Sequence, residues 1–181
     1  MDIIRLKDAL FGAILASSNS EWDKIFAMSE TVLEKVLFPR NIRDLGSGQI
    51  RVNLNRNFTE SLDFALYIIE KFSFQIAEYI KLKNIYENYL FSCNYKEAKK
   101  TISKIEDNVG SSLWSCGQKL ILAEQEKGLE GNKRLLSQYL EVASKNRVLS
   151  ALLEFFSYRA EEGTSLNNYL KLPTPIWCIE P

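Results

Sequence analysis

The sequence predicts an all-α protein made of stacked antiparallel helical hairpins, arranged as an α-solenoid or as an irregular helical bundle. Cys93, Gly128 and Gly163 lie 35 residues apart, and each separates two apolar patterns of helical period. A fixed period of this length is typical of repeats that cannot bury their apolar face alone and therefore stack. Glycine and proline are also missing from the sequence between residues 49 and 109, which leaves this interior free to be helical.

Three helices are expected before the repeats. The first covers about residues 3–16, and the second runs from a capping segment at Ser20 to Pro39, which stops it. The third covers about residues 59–72 and is the most apolar segment of the chain. We therefore expect the third helix to be central and covered on more than one side.

The segment from Pro39 to Asn57 is predicted to be irregular or β-like, because Gln49–Asn55 alternates apolar and polar residues as a half-buried strand does. Against the single acid Asp44, this segment carries four arginines, Arg40, Arg43, Arg51 and Arg56. Three interpretations stay open. The segment is a loop over the bundle with solvated arginines, a binding site for an anion or a phosphate backbone, or an exposed edge that pairs with a partner strand.

The clearest helical hairpin covers residues 81–108. Its first helix carries an apolar stripe of Leu82, Ile85, Tyr86 and Tyr89, and its second carries Ala98, Ile102 and Ile105. Between them, Asn94 and Glu97 are spaced as a capping box, in which the side chain of each residue accepts a hydrogen bond from the backbone amide of the other.

This hairpin resembles a tetratricopeptide repeat. In that family, a tyrosine near the turn fills the groove between the helices and an alanine sits at their closest crossing, and Tyr89, Tyr95 and Ala98 match three such positions. Tyr86 stands where the family prefers glycine, and Cys93 replaces the glycine of the turn. The resemblance implies a superhelical scaffold that holds a peptide or a folded partner.

When successive hairpins are compared at an offset of 35 residues, the apolar stripe of the first helix is preserved better than that of the second helix. The first-helix stripe is continued by Gly117, Leu120 and Ile121, and then by Leu152, Phe155 and Phe156. In the second helix, Ala98 is replaced by Lys133 and then by Asn168, which indicates drift.

The domain organisation predicted from these patterns is one helical domain over residues 1–181. Residues 1–75 hold the N-terminal helices and the basic loop, and residues 76–172 hold the hairpin repeats. The tail, residues 173–181, either folds back over the open end of the repeats or leads into a longer chain.

Residues for catalysis are few. The chain has no histidine, which excludes the usual triads and histidine-containing metal sites, and it has no glycine loop suited to phosphate. The carboxylate pairs Glu124 with Glu126 and Glu161 with Glu162 are expected on solvated helix faces. We therefore expect no enzymatic activity, no cofactor and no bound metal.

Charge and cysteine content bear on partners and location. The 23 basic and 23 acidic side chains cancel, so no overall attraction to nucleic acid or to an anionic membrane is expected. Three cysteines without framework spacing favour a reduced, cytoplasmic protein. The resulting hypothesis is a non-catalytic scaffold for a protein or peptide partner, within a larger assembly of bacterial type. The alternatives are an anion- or nucleic-acid-binding module that uses the basic loop, and an accessory domain of a longer enzyme.

Overall fold

The computed structural model describes residues 22–24, 27, 38–47, 58–143, 145–161 and 163. Every regular element in these ranges is an α-helix, which confirms the all-α fold class. The helices are α1 (Ile42–Ser47), α2 (Phe58–Lys71), α3 (Ser73–Phe91), α4 (Tyr95–Val109), α5 (Leu113–Ala143) and α6 (Arg147–Ala160). The predicted helix over residues 3–16, the strand-like residues 49–55 and the tail lie outside the described ranges.

Left-handed backbone occurs at all three residues of the 35-residue spacing. Cys93 lies between α3 and α4 with φ of 56°, and Gly163 follows α6 with φ of 83°. Gly128 interrupts α5 with φ of 66° and ψ of −163°, which divides this helix into a first arm, residues 113–127, and a second arm, residues 129–143. The helical ladder ends at each of these breaks, and the chain reverses at Cys93 and at Gly128.

The two arms of α5 form an antiparallel hairpin. Cys116 and Leu120 of the first arm share one buried cluster with Leu136 and Tyr139 of the second arm. A Cβ atom on Gly131 would lie 2.7 Å from the carbonyl oxygen of Ala123, so only glycine allows the arms to approach so closely.

Neighbouring hairpins pack through both of their helices. α4 runs antiparallel to the first arm of α5, since Glu106 pairs with Lys119 while Lys99 pairs with Glu126 at the other end. α3 runs parallel to the same arm. The ring of Trp114 meets that of Tyr79, 35 residues earlier, edge to face at 5.8 Å between centroids.

The first hairpin closes around a cluster in which Tyr86 and Ala98 are fully buried. Tyr89 and Tyr95 are half-buried and pack against the same cluster. The capping box is only half formed. The Asn94 side chain accepts from the Glu97 amide at 3.4 Å, but Glu97 binds Lys100 at 2.6 Å rather than the amide of Asn94.

The second helices of the hairpins keep their buried stripe with an offset of 34 residues. The buried residues Ala98, Ile102 and Ile105 of α4 correspond to Asn132, Leu136 and Tyr139 of the second arm. The predicted match of Ala98 with Lys133 is therefore wrong by one residue. The difference of one residue arises at the turn, because three residues separate α3 from α4 whereas Gly128 alone interrupts α5.

Two predictions about the N-terminal part of the chain need correction. Within the segment expected to be irregular, residues 42–47 form α1, because the Asn41 side chain caps it through the Asp44 amide and Ile42 and Leu45 pack against the core. The helix expected over residues 59–72 is present as α2, but it is not the covered central helix that the pattern predicts. Leu62, Leu66 and Ile69 of one face are 45, 55 and 54% exposed.

A buried polar contact joins the second arm of α5 to α6. Asn132 and Ser157 are both fully buried, and the Ser157 hydroxyl donates to the Asn132 side-chain oxygen at 2.7 Å. The Asn132 amide donates in return to the Ser157 carbonyl oxygen at 3.0 Å. Beside them, Lys133 pairs with Glu161 and lies over the ring of Tyr158.

We predict that Ala98→Leu lowers the free energy of unfolding by about 1–3 kcal/mol, because a larger side chain overpacks the contact between α3 and α4, where Ala98 is fully buried. Chemical denaturation measures the change. Ala77→Leu is the control, since Ala77 is exposed on α3. Equal destabilisation by both variants would contradict the placement of Ala98.

We predict that Asn132→Ala destabilises the protein by about 1–3 kcal/mol, because the Ser157 hydroxyl and carbonyl lose their buried partner. Thermal and denaturant unfolding of this variant are compared with those of Asn108→Ala, which changes an exposed asparagine of α4. An unfolding midpoint as high as that of the control variant would show that the contact contributes little.

Candidate functional site

α2 and α3 form one bent rod rather than two separate helices. Phe72 lies between them with φ of −107° and ψ of 19°. Backbone hydrogen bonds continue through the bend, because the Phe72 amide donates to the Ile68 carbonyl at 3.0 Å and the Ile76 amide donates to the Phe72 carbonyl at 3.0 Å. Side chains on both helices therefore share one continuous surface.

Five exposed apolar side chains follow this rod at spacings of four and three residues, with Ser73 at the intervening position. They are Leu62, Leu66, Ile69, Ile76 and Ile80, and their exposed fractions are 45, 55, 54, 36 and 52%. We call this stripe the α2–α3 seam. Alternating spacings of four and three residues are the pattern with which one helix packs along another in a coiled coil.

Other sides of the rod are already occupied. On α3, Tyr79, Leu82 and Tyr86 pack into the first hairpin. On α2, the Tyr67 ring meets the buried Trp22 ring at 5.1 Å between centroids. The rod is thus fixed by contacts on other faces, while the stripe itself stays exposed.

Acidic groups flank the seam on α2. Asp63 and Glu70 directly follow Leu62 and Ile69, so both carboxylates lie along the same edge. They line a shallow cleft of about 520 Å³ together with Asp23. Hydrogen bonds from Tyr67 at 2.6 Å and Lys71 at 3.2 Å lower the pKa of Asp23. Asp63 and Glu70 make no ion pair within the described ranges, and they are available to a partner.

Two of the four arginines predicted as a binding site lie in described ranges. Arg40 and Arg43 are exposed, and the Arg40 carbonyl accepts from the Ser111 hydroxyl at 3.3 Å. This bond helps to hold their segment against the turn between α4 and α5. Arg51 and Arg56 lie outside the described ranges, so a shared anion site of all four stays a prediction.

A partly buried polar cluster joins α4 to α5. Glu106 of α4 accepts from the Ser115 hydroxyl at 2.8 Å and pairs with Lys119, next to Cys116 on α5. Burial, with the negative charge of Glu106 nearby, raises the pKa of the Cys116 thiol to about 12. The thiol is thus neutral at physiological pH, and the cluster ties α4 to α5. Among the described residues there is no group of three or more candidate metal ligands.

Comparisons with protein-family models, with curated proteins and with solved structures found no match to this chain. In the part of the chain that the structure describes, no helix combines the length and the apolar character needed to cross a membrane. Evidence about function therefore comes from the surfaces of the molecule itself.

The seam was not predicted from the sequence, although its signal was present. The expectation of a covered central helix rests on apolar residues, Leu62, Leu66 and Ile69 among them, that spread around much of its circumference. A buried helix face and an exposed coiled-coil stripe have the same sequence pattern. Only the exposure of these side chains separates the two interpretations.

We predict that Cys93 reacts with iodoacetamide in the native protein whereas Cys116 is protected, because Cys93 is exposed and Cys116 is buried. Peptide mapping after alkylation at pH 8 measures both sites. The pKa of Cys116 is raised in the folded state, so its contribution to stability falls as the pH rises above about 8.5, where an unfolded thiol ionises. Similar alkylation rates at the two cysteines would contradict its burial.

Proposed function

We propose that this protein is a non-catalytic, cytoplasmic helical-repeat scaffold that binds an amphipathic helix of a partner protein along the α2–α3 seam. The observation that carries the proposal is the exposed stripe of five apolar side chains at alternating spacings of four and three residues. Soluble proteins rarely expose such a contiguous apolar surface unless it binds something. A helix with the same spacing would bury the stripe and exclude water from it.

The charges along the seam favour a basic partner. Asp63 and Glu70 occupy the flanking positions at which coiled coils place the charges that select the partner. Lysine or arginine at the facing positions of a partner helix would pair with these carboxylates. We therefore propose an amphipathic helix with basic residues beside its apolar stripe.

A second copy of this chain is a poorer match to the seam. In an antiparallel pair, this edge would lie along the same edge of the other copy, where Glu70 would face Glu70 and Asp63 would face Ala77, so neither carboxylate would meet a positive charge. In a parallel pair, they would face the positions of Ala65, Phe72 and Tyr79, which carry no positive charge. Neither arrangement satisfies the acidic edge, so the proposal is an association of two different chains.

The hairpins supply the frame for this surface. The seam belongs to the rod that begins the first hairpin, and α3 is fixed by its contacts with α4 and with Trp114. In tetratricopeptide-like scaffolds, stacked hairpins hold recognition surfaces in a fixed shape, and the resemblance of residues 81–108 supports the same role here.

A synthetic helix tests the proposal directly. We predict that a three-heptad peptide with leucine at the seam-facing positions and lysine at the flanking positions binds the full chain. Replacing its flanking lysines by glutamate weakens binding about tenfold or more, because attraction to Asp63 and Glu70 becomes repulsion. Isothermal titration calorimetry measures both affinities. Equal binding of the two peptides would overturn the charge argument.

Variants of the protein locate the binding surface. Leu66→Ser combined with Ile69→Ser is expected to weaken binding of the lysine peptide by about tenfold or more, because buried apolar contacts are lost. Leu129→Ser is the matched control, since Leu129 is 53% exposed on the second arm of α5, away from the seam. Sedimentation without peptide reports self-association. A dimer that the double variant abolishes would identify a second copy as the occupant and overturn the proposal.

A further inference from the structure

A second surface, separate from the seam, lies between α4 and the two arms of α5. It is a cleft of about 490 Å³, within the range of small-molecule sites. Ala123 and Leu135 line it, and both are partly exposed. Because Leu135 also packs against the core cluster between the two arms, this apolar floor of the cleft is anchored in the core.

The rim of the cleft is strongly basic. Four of its lining residues are cationic and one, Glu126, is acidic; the cations are Lys99, Lys119, Lys127 and Arg134. Lys99 is bonded to Glu126 at 3.5 Å, and Lys119 is paired with Glu106. Lys127 and Arg134 have no ion-pair partner among the described residues.

The two cations without an ion pair come from different arms of α5 and line the same cleft. Lys127 ends the first arm, and Arg134 lies on the second arm, beyond the break at Gly128. A Cβ atom on Gly131 would lie 2.6 Å from the Cβ atom of Lys127, which shows how closely the second arm passes the base of this side chain. The backbone at this turn thus fixes where the Lys127 side chain begins.

We infer that this cleft binds a small phosphate ester. Its apolar or aromatic body would lie on the floor formed by Ala123 and Leu135, and its phosphate would be bound by Lys127 and Arg134. Arginine offers a planar pair of donors that suits phosphate oxygens, and lysine adds a second positive charge. An apolar floor beside a cationic rim selects a ligand with both parts over inorganic phosphate or an uncharged ring alone.

Adenosine 5′-monophosphate is the probe ligand. Adenosine and inorganic phosphate, which each represent one part of it, are the control ligands. Titrations followed by ¹H–¹⁵N NMR measure the three affinities on the full chain. We expect the nucleotide to bind at least tenfold more tightly than either half, with shifted amides in α4 and both arms of α5. Nucleotide binding no tighter than phosphate binding would overturn the role of the floor.

The cations are tested by charge-matched variants. Lys127→Ala combined with Arg134→Ala is expected to weaken nucleotide binding at least tenfold. Lys81→Ala combined with Lys104→Ala removes the same charge from exposed positions outside the cleft and leaves binding unchanged. Circular dichroism verifies that both variants are folded. Unchanged affinity in the cleft variant, or no nucleotide binding to the wild type at millimolar concentration, would overturn the inference.

This inference is independent of the proposed function. The seam variant Leu66→Ser with Ile69→Ser retains the cleft and is expected to bind the nucleotide as the wild type does. The cleft variant, in turn, retains the seam and the lysine peptide. Failure of one proposal is therefore distinguishable from failure of the other.

Discussion

The reversal of the chain at Gly128 is the constraint on which the second half of the described structure depends. As one unbroken helix, the 31 residues of α5 would extend about 46 Å and separate Cys116 and Leu120 from Leu136 and Tyr139. The left-handed backbone at this glycine places the two arms side by side, and α6 then packs against the second arm. The basic cleft requires this reversal, because it is lined by α4 and by both arms of α5.

Much of the helical framework could be predicted from sequence, because its signals are local. The breaks at Cys93 and Gly128 follow from the spacing, and Asn94 at the start of α4 follows from capping chemistry. The 34-residue offset of Asn132 from Ala98 could not be predicted, because the length of a turn depends on a backbone conformation that composition does not specify.

The surfaces were harder to predict than the framework. Leu66 and Ile69 have the same pattern whether they face a core or a partner, and only tertiary packing decides between them. The cleft is formed by three helical segments, so no short stretch of sequence contains it. The net charge of zero also conceals a separation of charge, since the seam has an acidic edge and the cleft a basic rim.

The contact between Asn132 and Ser157 makes neighbouring hairpins non-interchangeable. Apolar stripes tolerate exchange of one repeat for another, because any side chain of suitable volume fills the gap. A buried amide is more demanding, because it is satisfied only if the following helix offers a hydroxyl and a carbonyl at matching height. Ala98, at the equivalent position of the first hairpin, has no polar side-chain atom that needs a hydrogen-bond partner. Duplicating or reordering these hairpins would therefore leave polar atoms buried without partners, so this junction fixes the order of the units within the array.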